Sequence, residues 1–410
     1  MKAVIKVKIY AKHTKTQMVR QALGNTRFVW NKLLEKNMER YKKEKKFMFE
    51  FEMNREITRM MKEYPFLKQS PSQSLQQIAR KLDRGLKFFL KNRKDGVGFP
   101  RFKKKSRYEG ILIFPQGFKF EGKKLRIPKI GWVSIKDKIT KKPEWKRIIE
   151  TAKQVWIKEE PDGFFAYIVY EREKEEKEPN GNAVGIDVGI KSTITMSNGE
   201  ALSLDKDRIM KLVRKIEKLQ SIIDKKREIN KERGIKYSRR IEELERKRDR
   251  LFKKIENIKR DFYYKAINHI LNSHEYVVVE DLDLKELKES NGENKIVSRN
   301  VHKYLQYISL GELFRILEWK AELYGRKIIR VKAKDTSKTC SRCGYVNHDL
   351  KLSDRVFKCP SCGLRIDRDL NASINILKRG LEHIAPSSGH GEYMPEMVIA
   401  RWPIGRTLAL

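Results

Sequence analysis

The sequence predicts a multidomain α/β protein, and three observations support this prediction. Its 410 residues exceed the size of one small domain. Short apolar segments separated by Gly and Pro occupy residues 97–175, whereas helical periodicity dominates 13–96 and 206–272. Two strongly apolar segments, one beginning at Ala183 and one ending at Glu280, have the composition of strands buried within a sheet.

The N-terminal region is predicted to be a small β-barrel interrupted by helices. Residues 1–12 and 97–175 supply its strands, and 13–96 form a helical insertion. Two helices are expected first, at Thr14–Leu23 and Thr26–Lys45. A later helix carries an apolar stripe that repeats every three or four residues. The stripe consists of Leu75, Ile78, Ala79, Leu82, Leu86 and Phe89.

A charged, turn-rich segment at 176–182 predicts a linker to a second α/β domain at 183–382. Within that domain, residues 206–272 carry two apolar seams separated by Gly234. Two long antiparallel helices are therefore expected there. Residues 383–410 show no clear periodicity and predict a disordered tail.

The chain carries a large excess of positive charge. It has 93 Lys and Arg against 54 Asp and Glu, a formal net charge of +39. Such a surplus repels itself unless nucleic acid, an anionic membrane or an acidic protein screens it. Because no apolar run of about 18 residues and no signal-peptide pattern is present, a cytoplasmic protein without a membrane span is expected. Ribosomal and histone-like proteins share this charge, so composition alone does not indicate an enzyme.

All four cysteines lie in two CxxC pairs. Cys340 and Cys343 form the first pair, Cys359 and Cys362 the second, and 15 residues (344–358) separate them. This spacing is typical of a zinc ribbon, in which four thiolates complete a tetrahedral and therefore structural site. The alternatives are two local disulfides or a redox motif, although a redox motif would need only one pair.

Three acidic residues predict a metal-dependent nuclease. Asp187 lies in one apolar strand, Glu280 ends another, and Asp369 begins a late helix. Burying a carboxylate costs several kcal/mol unless it is paired or binds a metal. Individually each has a structural alternative: Asp369 or its neighbour Asp367 could cap the helix, and Glu280 could pair with a lysine. Together they match the RNase H/RuvC arrangement, whose carboxylates bind two Mg²⁺ or Mn²⁺ ions.

The segment FPRFKKKSR, which begins at Phe99, combines aromatic and basic side chains. Basic groups bind phosphates and aromatic rings stack on bases, so this segment predicts nucleic-acid contacts. The alternative is a solvated basic loop. The candidate residues are Phe102, Lys103, Lys104, Lys105 and Arg107.

Several motifs resemble those of the TnpB family, which comprises transposon-encoded RNA-guided DNA endonucleases related to type V CRISPR effectors. They are GIDVGIKS, VVVEDLDL, FPRFKKKSR and the cysteine segment next to DRDLNASINI, and the match spans about residues 1–380. Carried over by position, the family's acids are Asp187, Glu280 and Asp369. Asp369 is preferred to Asp367 because the family's acid stands two residues before an Asn, here Asn371.

The resemblance implies a wedge-like barrel (1–12 and 97–175), a recognition insertion (13–96) and a RuvC-like nuclease domain (183–382). The nuclease domain includes a zinc ribbon insertion at 336–366. The implied partners are a guide RNA and target double-stranded DNA, with one protein per RNA, and the implied metals are Zn²⁺ and Mg²⁺ or Mn²⁺. Cleavage beside a short adjacent motif would use two-metal-ion phosphodiester hydrolysis.

Two alternative functions are a nuclease or transposase that acts without RNA and an RNA-guided DNA-binding repressor. A repressor is expected to have lost at least one acid, whereas all three are present. Dependence of cleavage on RNA would distinguish an RNA-guided endonuclease from a nuclease or transposase that acts without RNA.

Overall fold

The computed structural model describes residues 1–104, 110–189, 192–235, 237–281, 307–351 and 354–384. These residues form two compact units, Met1–Arg172 and Glu173 onward. Lys105 and Arg107 lie outside the described residues, as do residues 385–410 of the predicted tail, whereas its first two residues, 383 and 384, end a helix. Among the described residues, no helix is both long enough and apolar enough to cross a membrane.

The first unit contains a seven-stranded antiparallel sheet with the strand order β2-β6-β7-β1-β5-β4-β3. Its strands are β1 (Lys2–Tyr10), β2 (Ile111–Phe114), β3 (Lys119–Glu121), β4 (Lys124–Ile127), β5 (Gly131–Ile135), β6 (Ala152–Glu160) and β7 (Gly163–Glu171). Strands β1 and β6 alternate buried and less buried residues, which is the pattern of a sheet with one face on a core, whereas β7 between them is buried along most of its length.

This sheet is open, so the predicted β-barrel is not closed. Within the described residues, the edge strands β2 and β3 do not pair with each other. They have only four and three residues, which leaves few backbone groups for a closing ladder. The helical insertion also bonds to β2, because the Ser74 hydroxyl donates to the Ile113 carbonyl at 3.2 Å.

Three helices lie between β1 and β2 and share one apolar core: α1 (His13–Glu44), α2 (Glu50–Glu63) and α3 (Ser72–Asn92). A shorter helix, α4 (Glu144–Glu150), follows β5. The stripe of α3 is buried except for Phe89, which is partly exposed. The two helices expected at 14–45 are one continuous helix. Asn25 does not break it, because its buried amide donates to Ser70 Oγ at 2.7 Å.

The second unit contains a five-stranded mixed sheet with the order β10-β9-β8-β11-β12. Its strands are β8 (Ala183–Asp187), β9 (Ile194–Met196), β10 (Ala201–Leu202), β11 (Tyr276–Glu280) and β12 (Lys327–Val331). β8, β9 and β10 form an antiparallel meander, whereas β11 runs parallel to both β8 and β12. Two further strands, β13 (Val356–Lys358) and β14 (Arg365–Asp367), form a separate ribbon.

Helices cover both faces of this sheet. They are α5 (Lys206–Glu232), α6 (Arg239–Ser273), α7 (Leu310–Tyr324) and α8 (Arg368–Ile384). Helices α6 and α7 pack on one face, where Tyr263 and Phe314 join the core with Val277 and Val279. Helix α8 packs on the other face, where Ile376 contacts Val278. Helices α5 and α6 pack against each other over the span of the predicted helical hairpin.

Helix α8 approaches the sheet so closely that both sides require glycine. A Cβ added at Gly185 of β8 would lie 2.2 Å from the Ser373 carbonyl oxygen. A Cβ added at Gly380 of α8 would lie 2.4 Å from both methyl groups of Val278. Real Cβ atoms do not reach such distances, so any side chain at either position would push α8 away from the sheet.

We therefore expect Gly185→Ala to destabilise the second unit by about 3 kcal/mol, because the new methyl group meets rigid backbone. Thermal unfolding and hydrogen exchange of β8 amides would measure the effect. Gly24→Ala is the matched control, since nothing lies within 4 Å of its added Cβ in α1. Alanine there should be neutral or stabilising by up to about 1 kcal/mol. Equal behaviour of the two variants would contradict the close packing.

Candidate active site and cysteine cluster

Two predicted acids lie side by side at the carboxyl ends of adjacent parallel strands. Asp187 ends β8 and Glu280 ends β11, and the strand register sets them opposite each other. Successive side chains on a strand point to opposite faces. Val278 packs on the α8 face, so Glu280 faces α8 as well, and Asp187 shares the face of Gly185. Both carboxylates therefore lie on the side of the sheet that α8 covers.

The third predicted acid, Asp369, belongs to the first turn of α8. A Cβ added at Gly189, just beyond β8, would lie 3.8 Å from Asp369 Oδ2, so this carboxylate lies over the end of β8. Its neighbour Asp367 has a different role. Asp367 Oδ1 accepts the amides of Asp369 and Leu370 at 2.9 and 3.3 Å, which caps the helix.

The three acids interact electrostatically. Burial, followed by the charges of Glu280 and Asp369, raises the pKa of Asp187 to about 7, although the Arg368 cation opposes the increase. Burial also raises the pKa of Glu280, against the opposing effects of a hydrogen bond from Thr336 and the Arg379 cation. A bound cation stabilises the ionised form of carboxyl groups whose pKa is raised by burial and by neighbouring carboxylates.

The donor set suits Mg²⁺ or Mn²⁺, since all three side chains offer hard carboxylate oxygens. Among the described residues, only the four cysteines bring three or more ligand atoms within 4.8 Å of one another. The three carboxylates are thus spaced more widely than the ligands of one compact site.

The four cysteines converge into one cluster. Cys340 Sγ lies 3.6 Å from Cys362 Sγ, and Cys343 Sγ lies 3.5 Å from Cys359 Sγ. These separations far exceed the roughly 2.05 Å of a disulfide, and all four thiols are free. A tetrahedron with metal–sulfur distances of about 2.3 Å has edges of about 3.8 Å. The cluster therefore fits zinc and does not support the disulfide alternative.

Two equivalent turns build this cluster. The Gly344 amide donates to the Cys340 carbonyl, and the Gly363 amide donates to the Cys359 carbonyl, both at 3.0 Å. Each glycine has a left-handed φ, +79° and +73°, which a larger residue would adopt only under strain. The Tyr345 amide hydrogen bond, together with hydrogen bonds from the other three thiols, lowers the pKa of the Cys343 thiol to about 6, which favours the metal-binding thiolate.

The predicted nucleic-acid residues that the structure describes occupy different environments. Phe102 is 50% exposed and Lys104 is also exposed. Lys103 instead lies against α1, with its Nζ 4.8 Å from the centre of the Trp30 ring. Its backbone amide and carbonyl both bond to the Asn31 side chain, at 2.7 and 3.1 Å. Among the predicted residues that the structure describes, Phe102 and Lys104 are therefore more accessible to a partner than Lys103.

Three family models match the chain. A model described as "Probable transposase" matches residues 167–291, a "Helix-turn-helix domain" matches 1–46, and a "Cas12f1-like, TNB domain" matches 311–376. The protein named "Putative RNA-guided DNA endonuclease InsQ" from Escherichia coli (strain K12) is 27% identical over 88% of each chain. The "TnpB-like protein L79" of Acanthamoeba polyphaga mimivirus is 29% identical over 49% of this chain and 38% of the viral protein.

The chain is similar to proteins of the TnpB family. The resemblance inferred from its motifs is thereby confirmed. A solved Cas12f1 chain, from a complex with sgRNA and target DNA, superposes with a TM-score of 0.54 at 18% identity. The match covers 89% of this chain and 82% of the Cas12f1 chain, which shows a common fold.

Three residues next to the acids were not predicted from the sequence. Thr336 donates its hydroxyl to Glu280, Arg368 lies near Asp187, and Arg379 lies near Glu280. Arg368 stands inside the DRD motif, so its proximity could have been inferred from its position. Thr336 and Arg379 carried no comparable signal, because Thr336 reaches Glu280 only through the fold of the segment between β12 and α8, and Arg379 only through the packing of α8 on the sheet.

Replacing Asp187 by Asn should stabilise the protein at pH 8 in buffer without Mg²⁺ or Mn²⁺, with zinc retained. The pKa of Asp187 is about 7 in the folded state, against an ordinary value of 3.8. Above pH 7 the ionised carboxylate therefore destabilises the folded state by its full amount. That destabilisation falls as the pH approaches 4. The expected gain in unfolding free energy is on the order of 2 kcal/mol at pH 8.

Thermal unfolding at several pH values would measure this gain. Asp261→Asn is the control, since Asp261 is exposed and pairs with Lys265 at 2.8 Å. A gain at pH 8 no larger for Asp187→Asn than for the control would show that Asp187 is not under electrostatic strain.

Replacing both Cys340 and Cys343 by Ser should release zinc, because only two thiolates would remain. Metal analysis should give about one zinc per chain for the unaltered protein and much less for the variant, with a lower thermal midpoint. Ser341→Ala in the same turn keeps all four thiols and should keep its zinc. Unchanged zinc content in the double variant would rule out the cysteine cluster as the zinc site.

Proposed function

We propose that the chain is an RNA-guided DNA endonuclease that hydrolyses phosphodiester bonds of target DNA at Asp187, Glu280 and Asp369. One observation carries the proposal: three acids from β8, β11 and α8 converge on one end of a sheet. The names of the relatives support the same activity, since two of them are called RNA-guided DNA endonucleases.

The topology of the second unit supports an RNase H-like, RuvC-type nuclease domain. Three strands form an antiparallel meander, and two parallel strands continue the sheet on the other side of β8. The acids occupy the first strand, the fourth strand and the last described helix of this unit. We assign the domain to 183–382 with a ribbon at 336–366, the wedge-like sheet to 1–12 and 97–175, and the recognition insertion to 13–96.

In this proposal Asp187, Glu280 and Asp369 would hold Mg²⁺ or Mn²⁺, which would supply activation of a water and stabilisation of the leaving 3′ oxygen. The protein's contribution is to fix the ligands. The two strand acids present carboxylates at the sheet edge, and Asp369 faces them from α8. Arg368 and Arg379 moderate the mutual repulsion. The four cysteines hold Zn²⁺, which leaves no open position for catalysis.

We propose a guide RNA and target double-stranded DNA as the partners. The net charge of +39 requires anionic screening, and nucleic acid supplies closely spaced phosphates. In the first unit, burial and the nearby amines of Lys103 and Lys158 lower the pKa of Lys81. A phosphate beside these three amines would relieve their repulsion. The exposed Phe102 ring offers a stacking surface in the same unit.

To test this function, the full chain would be purified with its bound RNA, and that RNA would be sequenced. DNA cleavage in Mg²⁺ should then follow a reprogrammed guide. Asp187→Ala should abolish cleavage while RNA binding persists, because the residue lies in the second unit's sheet among the metal-binding acids. Asp261→Ala, which removes an exposed acid from α6, should cleave normally.

Two results would contradict the proposal. Site-specific cleavage by RNA-free protein would favour a nuclease or transposase that acts without RNA. Guided binding without any cleavage by the unaltered protein would favour a repressor.

A further inference from the structure

One buried hydroxyl contacts the proposed nuclease centre without belonging to an acid. Thr336 lies between β12 and the first cysteine turn, and it is only 4% exposed. Its Oγ1 donates to Glu280 Oε1, which is the closer of its two acceptors, and the Ala333 carbonyl is the other at 3.2 Å. Strand β11 fixes the backbone of Glu280 but leaves its side-chain torsions free. The Thr336 hydroxyl restrains those torsions.

The position of Thr336 is fixed from α8. Asn375 donates its side-chain amide to the carbonyls of Thr336 and Thr339, at 2.8 and 2.7 Å. Asn371, four residues earlier on the same helix face, donates to Thr339 at 2.7 Å and accepts the amide of Ser341 at 2.9 Å. Both asparagines are buried, and their hydrogen bonds hold the segment that enters the cysteine cluster.

A second contact extends this attachment towards β12. Arg379 of α8 donates to the carbonyls of Lys332 and Lys334, at 2.7 and 2.8 Å. The segment from Lys332 to Ser341 is thus bonded along α8, the helix that also carries Asp369. Helix α8 therefore holds in place both the Thr336 hydroxyl, which restrains Glu280, and the backbone of Asp369.

We propose that Thr336 is a positioning residue for the nuclease centre, holding the Glu280 carboxylate in the orientation that binds the divalent cation. The inference rests on the proposed function. Groups that hydrogen-bond a metal-binding carboxylate fix its direction, and their loss weakens metal binding or activity by about 10–100-fold. The Thr336 bond engages Oε1, and among the described residues Oε2 has no hydrogen bond.

A purely structural role for Thr336 makes a different prediction. In that case the hydroxyl only closes the turn with Ala333, and its loss would alter folding or zinc content without a specific effect on the cation at the acids. A measurement of cation binding separate from cleavage distinguishes the two roles.

The experiment uses the full chain bound to its guide RNA, without target DNA. Electron paramagnetic resonance would measure the Mn²⁺ dissociation constant for four proteins: unaltered, Thr336→Val, Thr336→Ser and Thr339→Val. Valine keeps the shape of threonine but removes the donor, whereas serine keeps the donor. Thr339→Val is the matched control, since the Thr339 hydroxyl donates to the backbone carbonyl of Asp335 at 2.8 Å and not to Asp187, Glu280 or Asp369.

We expect Thr336→Val to weaken Mn²⁺ binding roughly 10-fold, with a parallel rise in the Mn²⁺ concentration that half-saturates guided cleavage. Thr336→Ser and Thr339→Val should remain within about twofold of the unaltered protein. In a Glu280→Gln background, Thr336→Val should have no further effect on Mn²⁺ binding, because Thr336 acts through the carboxylate.

Unchanged Mn²⁺ binding by Thr336→Val, or an equal loss in the Glu280→Gln background, would overturn the inference. If Thr336→Val also reduces the zinc content, Thr336→Ser and Thr336→Ala are compared instead, because they differ in the hydroxyl alone. Equal Mn²⁺ binding by these two variants would also overturn the inference. Failure of the proposed function is separate: it would appear as absent guided cleavage by the unaltered protein, even where Mn²⁺ binding depends on Thr336.

Discussion

The contact between α8 and the sheet of the second unit is the constraint on which the site depends. Two glycines, one on each element, allow the helix backbone to lie directly against β8 and the side chain of Val278. This closeness brings an acid from α8 to acids that end β8 and β11. A helix held farther away by ordinary side chains would leave Asp369 beyond the reach of the strand acids. The packing of small groups thus determines whether three carboxylates can act together.

The arrangement creates opposing electrostatic demands. At the sheet edge, burial raises the pKa of both Asp187 and Glu280, and the charges of Glu280 and Asp369 raise that of Asp187 further, so the metal-free centre is destabilised above neutral pH. Over the whole chain, the excess of Lys and Arg has the opposite sign. Cations satisfy the first demand and polyanions the second. The proposed binding of divalent ions and nucleic acid would meet both demands, and it accounts for an acidic centre within so basic a chain.

Much of the candidate site could be predicted because its residue types lower stability when they are buried without a function. An acid in an apolar strand and paired cysteines at fixed spacing have few structural explanations, so Asp187, Glu280 and the cysteine cluster could be predicted. The open sheet could not, because edge pairing depends on contacts between distant segments. The continuity of α1 depends on a tertiary bond of Asn25, and the capping role of Asp367 depends on backbone geometry. Thr336 reaches an acid 56 residues earlier, a separation at which local sequence carries no signal.

The hairpin of α5 and α6 has a consequence for how the protein could vary in size. Helix α5 has 27 residues and so extends about 40 Å. Only the later part of α6, around Tyr263 and Ile267, joins the core on the sheet. The far end, near Gly234, is therefore an arm whose length is independent of the strand register. Residues could be added or removed there to change the protein's reach along a bound polymer while the distances among the acids stay the same.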